Sequence, residues 1–365
     1  MGSLARLQRD SLRHLTISLT EACTLKCKHC IVASAQGPYK LYTMPDERAV
    51  KYVREFRALK NRGVELITFT GGEPFLAPRQ LSLLSEAAVE NQIECAVLTS
   101  CYWAKTKRAA RKIVARFPYI KRWHLSTDVF HEEFVPRDHI LYAADAIHES
   151  NKFVMIRMTN AIPVSEEHRE LYGFLRSRLP DTVPFHIQPL VNIGRGVDIE
   201  TKTMKGSGPQ WPCIPLSPVI RFDGTVSPCC AHLINERADH PFQYGNADDV
   251  GLARIYDKWR TDPLLRFIMA AGFVPLLKWA REMFPQQGIL ADSSANPCDY
   301  CVSLWKSPQV RAALRKRAEL PLNRQKIDEL NNLLFGGDDY QHKYPNPRPD
   351  PAYESRSSHG PSGHG

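Results

Sequence analysis

Leu12-Arg-His-Leu-Thr-Ile-Ser-Leu19-Thr-Glu-Ala-Cys23-Thr-Leu-Lys-Cys27-Lys-His29-Cys30 joins an apolar β-type run to a loop with three cysteines. Outward from it, similar runs recur at 64–70, 93–99, 122–127, 153–159 and 183–190, making six in all. Amphipathic helical stretches begin between them near Pro45, Pro78, Lys105, Pro136 and Ser165. Proline suits a first helical turn, where its missing N–H leaves no bond unmade. Regular βα succession predicts a parallel sheet with helices outside. Six units are two short of a closed eight-unit barrel, so the expected fold is α/β, a partial (β/α)6 TIM-like barrel. Its chemistry should sit on the loops after the strand C-termini.

The remaining chain reads differently. A Gly-, Pro-, Ser- and Lys-rich stretch around 194–212 predicts a linker, and 218–227 a β-hairpin whose Asp223-Gly224 pair supplies positive φ angles. Helices are expected over 252–271 and 308–334, and a disordered tail over 336–365. The domain reading is therefore 1–195 barrel, 196–210 linker, 211–306 small α+β domain, 307–335 helical segment and 336–365 tail.

With 365 residues, 43% of them hydrophobic, the chain can bury sizeable cores, which excludes a disordered or fibrous protein. Its apolar runs fall short of a membrane span and no signal-peptide core precedes residue 30, so a cytoplasmic protein without membrane contact is expected. A net charge of +9 suits an anionic partner but equally serves solubility. Eight of the ten cysteines cluster: Cys23, Cys27 and Cys30; Cys213, Cys229 and Cys230; Cys298 and Cys301. In a chain without an export signal, that pattern points to metal ligation rather than disulfides.

Three thiolates in one short loop suit an iron–sulfur cluster or zinc. Zinc wants a fourth protein ligand, and His29 is awkwardly placed beside Cys30. Three cysteines on a [4Fe–4S] cluster leave one iron open to a small molecule. The C-x3-C-x2-C loop after the first strand, with Thr70-Gly71-Gly72-Glu73-Pro74 after the second, resembles the radical S-adenosylmethionine (SAM) superfamily. The resemblance implies a catalytic [4Fe–4S] cluster on Cys23, Cys27 and Cys30. It further implies SAM on the open iron, cleavage to a 5′-deoxyadenosyl radical, and hydrogen abstraction from an unactivated carbon. An external electron donor of flavodoxin or ferredoxin type is expected with it.

Gly71 and Gly72 would let the backbone approach a ligand, and Glu73 could accept a bond from the SAM ammonium. Ser126 and Asp128, period-2 partners, resemble the ribose-binding strand end, against a helix N-cap role for Asp128. Arg157 could pair with the SAM carboxylate or form an ordinary salt bridge. His29 stands where the family usually has an aromatic. His131 and Glu132, after the fourth strand, are candidate proton acceptors, against a solvated helix start. Gln188 and Gly194-Arg195-Gly196 follow the sixth strand, where related enzymes contact SAM.

The spacing Cys213-x10-Gly224-x4-Cys229, followed by Cys298-x2-Cys301, resembles the auxiliary-cluster extensions called SPASM and Twitch, the shorter Twitch form fitting better. It implies an auxiliary [4Fe–4S] cluster on four cysteines; a structural zinc site uses the same ligands. Cys230 is then a bystander or a hydrogen-atom donor, and Cys95 and Cys101 are core and loop thiols. The implied function is a radical SAM oxidoreductase of natural-product biosynthesis. Its substrate is expected to be a ribosomally made peptide undergoing crosslinking, oxidation or epimerisation, or alternatively a sugar or aminocyclitol. Only 22 residues precede Cys23, too few for a fused leader-recognition domain, so peptide binding would need a separate partner or the C-terminal region. A zinc-containing nucleic-acid-binding protein is the remote alternative, since no recognition motif with interleaved aromatics appears.

Overall fold

The computed structural model describes residues 10–161, 163–199, 213, 217–229, 231–237, 239–289 and 297–335. Six strands alternate with helices through the first half: β1 (His14–Thr20), β2 (Leu66–Gly71), β3 (Glu94–Thr99), β4 (Arg122–Ser126), β5 (Phe153–Asn160) and β6 (Phe185–Pro189). The helices between them are α1 (Asp46–Val53), α2 (Phe56–Asn61), α3 (Pro78–Glu90), α4 (Lys107–Arg116), α5 (Val129–Glu132), α6 (Arg137–Glu149) and α7 (Glu166–Arg176). Neighbouring strands all pair in parallel, in the order β6-β5-β4-β3-β2-β1. The α/β reading holds at every strand.

Alternation within the strands explains how the sheet is used. Leu15, Ile17, Ile67, Phe69, Val97, Trp123, Leu125 and Ile156 are fully buried in one core with helix residues such as Tyr52, Leu81 and Ile147. Each such side chain contributes roughly 1.5–3 kcal/mol on burial. Most alternate positions are polar, among them Thr16, Ser18, Thr68, Thr70, Arg122, His124, Ser126, Arg157, Thr159, His186 and Gln188, with Ala96, Leu98, Phe153 and Met155 as apolar exceptions. A parallel sheet is normally apolar on both faces. Here the second face is the lining of a polar lumen, held by contacts such as Glu94–Arg122 at 2.9 Å and His14–Thr68 at 2.8 Å.

The hairpin forms from β7 (Val219–Ile220) and β8 (Val226–Ser227), and it joins the barrel sheet: β7 pairs in parallel with β1, extending the sheet to eight strands. Gly224 alone supplies a positive φ, +81°, at the turn. Asp223 instead accepts from the Thr225 N–H at 3.1 Å and its hydroxyl at 2.6 Å, a local alternative to a left-handed residue.

The rest of the described C-terminal half is helical: α8 (Ala247–Val250), α9 (Leu252–Thr261), α10 (Pro263–Ala271), α11 (Val274–Met283), α12 (Pro297–Trp305), α13 (Pro308–Glu319) and α14 (Pro321–Phe335). The two long helices read from the sequence are each broken in two. Asp262-Pro263 and Leu320-Pro321 interrupt them because proline cannot donate to the preceding turn, and the residue before it is driven out of helical geometry. Among the described residues no single helix is long and apolar enough to cross a membrane; the bent pair α10–α11 matches only by length and composition and turns through 119°.

These helices dock on the barrel's outer layer. Arg48 of α1 chelates Asp248 of α8 with Nε at 2.9 Å from both carboxylate oxygens, and Arg62 meets Asp257 of α9 at 2.7 Å. Tyr256 donates its hydroxyl to the Leu12 carbonyl. One continuous hydrophobic cluster runs from Leu12 to Ile327.

Candidate active site

The register of β1 against β2 shifts between Ser18 and Thr20, which redirects the chain into the cysteine loop. That loop folds back on itself, with the Cys23 N–H on the Ala35 carbonyl at 2.9 Å and the Cys30 N–H on the Cys27 carbonyl at 3.2 Å. Cys23 and Cys27 are buried among Leu25 and Val135, and Cys30 lies partly exposed 3.5 Å from the Ser34 hydroxyl. Burial pushes the Cys23 and Cys27 thiols up to about 12, and the neighbouring thiols add to it. Cys23 and Cys27 are therefore held as protonated thiols, and a metal must displace their protons to bind.

The glycines after β2 are required by the loop itself. A Cβ on Gly71, whose φ is +149°, would lie 2.1 Å from the Thr20 carbonyl oxygen, and one on Gly72 would lie 2.1 Å from that of Ala22. The bare backbones instead bond, Gly72 N to Thr20 O at 2.7 Å and Glu73 N to Ala22 O at 2.9 Å. Their close approach is to the cysteine loop. Glu73 is fully buried, and its carboxylate accepts from Thr99 Oγ1 at 2.8 Å, Phe75 N at 3.3 Å, Ser100 N at 3.0 Å and Ser100 Oγ at 2.7 Å. Burial raises its pKa, and these four bonds pull against that rise. All the carboxylate's lone-pair sites are taken. A ligand ammonium would have to displace a donor.

A third clamp comes from the loop after β6. Arg195 donates its N–H to the Cys30 carbonyl at 3.0 Å, Nε to that of Cys27 at 2.9 Å, and Nη1 to that of Ser34 at 2.9 Å. Gly194, at φ +59°, permits the approach; a Cβ there would sit 2.4 Å from the Cys30 oxygen. Gln36 holds the carbonyls of Cys23 and Leu25 at 3.3 and 2.7 Å. Neither clamp is legible as such: the sequence marks Gly194-Arg195-Gly196 only as a place where related enzymes contact SAM, and Gln36 carries no local signal.

At the end of β4, Asp128 caps α5, accepting from the Phe130 and His131 N–H groups at 3.0 and 3.1 Å. It also meets His131 Nδ1 at 2.9 Å and His29 Nε2 at 3.3 Å. Burial alone would raise its pKa, but His131 and His29 hold the carboxyl well below the usual range. Among the described residues these three bring ligand-type atoms within 4.8 Å of one another, at distances that read as a hydrogen-bonded clasp. The clasp ties the cysteine loop to β4, and the His29 ring lies flat on Phe130 with centroids 4.8 Å apart. Glu132 is ion-paired with Arg137, which also binds Glu170 at 2.9 Å. Ser126 and Arg157 are registered neighbours on the lumen face, where Arg157 donates to Gln188 at 2.9 Å.

Cysteine loop, double glycine and β4 end thus share one end of a parallel sheet, and residues 17–175 match the family model described as the Radical SAM superfamily. Residues 17–175 belong to the radical SAM superfamily. Membership implies SAM and a [4Fe–4S] cluster, and the chemistry of the donor set fits: Cys23, Cys27 and Cys30 offer three soft sulfur ligands from one short loop. Over a longer span the chain is 22% identical to YydG of Bacillus subtilis (strain 168), a protein named for peptide biosynthesis, across 81% of this chain and 92% of that one. It is 33% identical to GTP 3′,8-cyclase of Synechococcus elongatus over 27% of this chain and 29% of that one. Among solved structures, Streptococcus suis SuiB bound to precursor peptide SuiA covers 73% of this chain and 69% of its own at 20% identity, with a TM-score of 0.50, which shows a shared fold.

The C-terminal cysteines partly converge. Burial raises the Cys301 thiol well above its ordinary value, and the neighbouring Cys229 and Cys298 add to the rise. Cys298 and Cys301 share a face of α12 at i, i+3, and α12 packs on the short turn His232–Ile234 just after Cys229. Cys213 packs on the same core. Cys230 lies outside the described residues, as do 200–210 of the expected linker and the tail 336–365. Cys95 and Cys101 are buried thiols.

Proposed function

We propose that this chain is a radical SAM oxidoreductase that modifies a peptide, crosslinking, oxidising or epimerising it. The observation that carries the first half is the loop of Cys23, Cys27 and Cys30, clamped from three sides by the strand ends of β2, β4 and β6. The peptide half rests on the near end-to-end similarity to YydG, and it is supported by the fold shared with SuiB, whose structure holds a precursor peptide. A cleft of about 550 Å³ lined by Lys26, Lys28, Glu133, Phe134, Arg195 and Val197 opens beside the cysteine loop and offers mixed charge and apolar contact to an extended chain.

The [4Fe–4S] cluster with SAM supplies, when bound, the hydrogen-abstracting 5′-deoxyadenosyl radical. The protein's own part is positional. Arg195 and Gln36 neutralise the loop carbonyls, Asp128 and His29 fix the wall over the loop, and Ser126 with Arg157 offer a hydroxyl and a cation at the lumen's upper rim. His131 and Glu132 enter as acid–base groups only after releasing Asp128 and Arg137. Residues 1–195 would carry this radical chemistry, and within 211–306 Cys213, Cys229, Cys298 and Cys301 would hold a Twitch-like auxiliary [4Fe–4S] cluster, which would supply an acceptor for the electron a substrate radical loses on oxidation. A flavodoxin- or ferredoxin-type donor and, for a leader peptide, a separate binding protein complete the reading, in the cytoplasm.

Anaerobic reconstitution tests it: two clusters bring about eight irons per chain, and changing Cys23, Cys27 and Cys30 together to Ala leaves about four. The reduced wild type should convert SAM to 5′-deoxyadenosine and the triple variant should not. A wild type with full iron that never cleaves SAM would overturn the assignment, and one zinc beside four irons would remove the auxiliary cluster alone.

A further inference from the structure

The strongest unassigned contact lies at the C-terminal cysteines. Trp305 closes α12 four residues after Cys301, so the two share a helix face. Its indole Nε1 donates to Cys301 Sγ at 2.9 Å. The ring is 1% exposed, packed edge-on against Phe242 with centroids 5.8 Å apart, and its backbone carbonyl is held by Arg311 Nη1 at 3.0 Å. Indole is a donor only, and a buried indole N–H needs an acceptor. Phe or Leu would supply apolar contact without that need. The acceptor that this site presents is a sulfur.

We infer that Trp305 tunes the reduction potential of the metal centre held by Cys301, through its N–H···S hydrogen bond. The inference rests on the reading of Cys213, Cys229, Cys298 and Cys301 as ligands of an auxiliary [4Fe–4S] cluster. Hydrogen bonds to the sulfurs are among the factors that set such potentials. A donor aimed at the thiolate stabilises the reduced cluster, which carries one more negative charge, more than the oxidised one, so it raises the potential. Trp305 is thus a positioning residue for electron transfer: it makes the auxiliary centre a better acceptor for an electron leaving the substrate.

The test is a redox titration followed by electron paramagnetic resonance, in a background where Cys23, Cys27 and Cys30 are Ala so that only the auxiliary centre reports. Trp305→Phe should shift its midpoint downward by an amount equal to a several-fold to tenfold fall in the reduction constant, at most about 59 mV for one electron. An unchanged midpoint with the cluster intact overturns the inference and leaves the auxiliary cluster standing. Absence of any cluster in that background removes the auxiliary reading and the inference together. Should Trp305→Phe fail to assemble, pulsed resonance on the reduced background protein carrying 15N-indole tryptophan decides: a 15N coupling to the cluster supports the bond, and its absence overturns it.

Discussion

Glu73 illustrates how much a single buried ionisable side chain can carry. Its four donors come from β3 and from its own turn, so it binds the end of β2 to the end of β3 and leaves Gly72 free to bond the cysteine loop. His124 is the second such residue. It stands on the lumen face of β4, where burial first, then Arg157, His14, Arg122 and His186, push its pKa down to about 3. The folded protein therefore holds it neutral while the unfolded chain titrates near 6.5, so between those values the unfolded state binds more protons. Stability should fall as pH drops from about 6.5 toward 3, by a few kcal/mol, and His124→Gln should flatten that part of the curve. Melting temperatures of both proteins at stepped pH check this, and parallel curves would show that His124 carries no such load.

At the scale of elements, the site is a set of strand ends tied to one loop. The loop after β6 reaches back across the mouth through Gly194 and Arg195, and it has no room for a side chain: a Cβ at Gly194 meets the Ile31 oxygen at 2.3 Å in a backbone geometry that L-residues disfavour. Gly194→Ala should push this loop from the cysteine loop and break the Arg195 bonds. The expected result is faster loss of iron from the loop cluster on exposure to chelator, with thermal stability reduced by about 1–3 kcal/mol. Iron retention equal to wild type would mean that the clamp is dispensable. The helix breaks at Pro263 and Pro321 were visible as prolines in the sequence, yet amphipathic periodicity continued across them and masked the division.

For the whole molecule, the decisive contact is the hairpin against β1. Thr16 and Ile17 register with Val219 and Ile220, and the Thr16 hydroxyl meets Ser217 at 2.6 Å, so strands read as part of a separate region cover the barrel's first edge. Behind them Tyr256 and Trp259 of α9 are fully buried. A chain cut to residues 1–199 would bare the β1 edge and the core surface beneath α9, a template for aggregation. It should elute as multimers or precipitate, whereas a monodisperse fragment with a cooperative melt would show that the first six strands suffice.

How much was legible depends on distance along the chain. Strand positions, the loops at their ends and the grouping of cysteines follow from period-2 alternation, turn residues and short spacings, all properties of a few neighbouring residues. The sequence alone thus determined the α/β class, the parallel succession and the place of the three-cysteine loop. Only the tertiary structure decided that Arg195 holds the carbonyl of Cys27 across 168 residues, that Trp305 serves Cys301, and that the hairpin completes the barrel sheet. Such contacts leave no periodic trace, because a carbonyl, a buried N–H or a strand edge can be satisfied by any segment that packing brings near, and which segment does so is settled by the burial of the whole core.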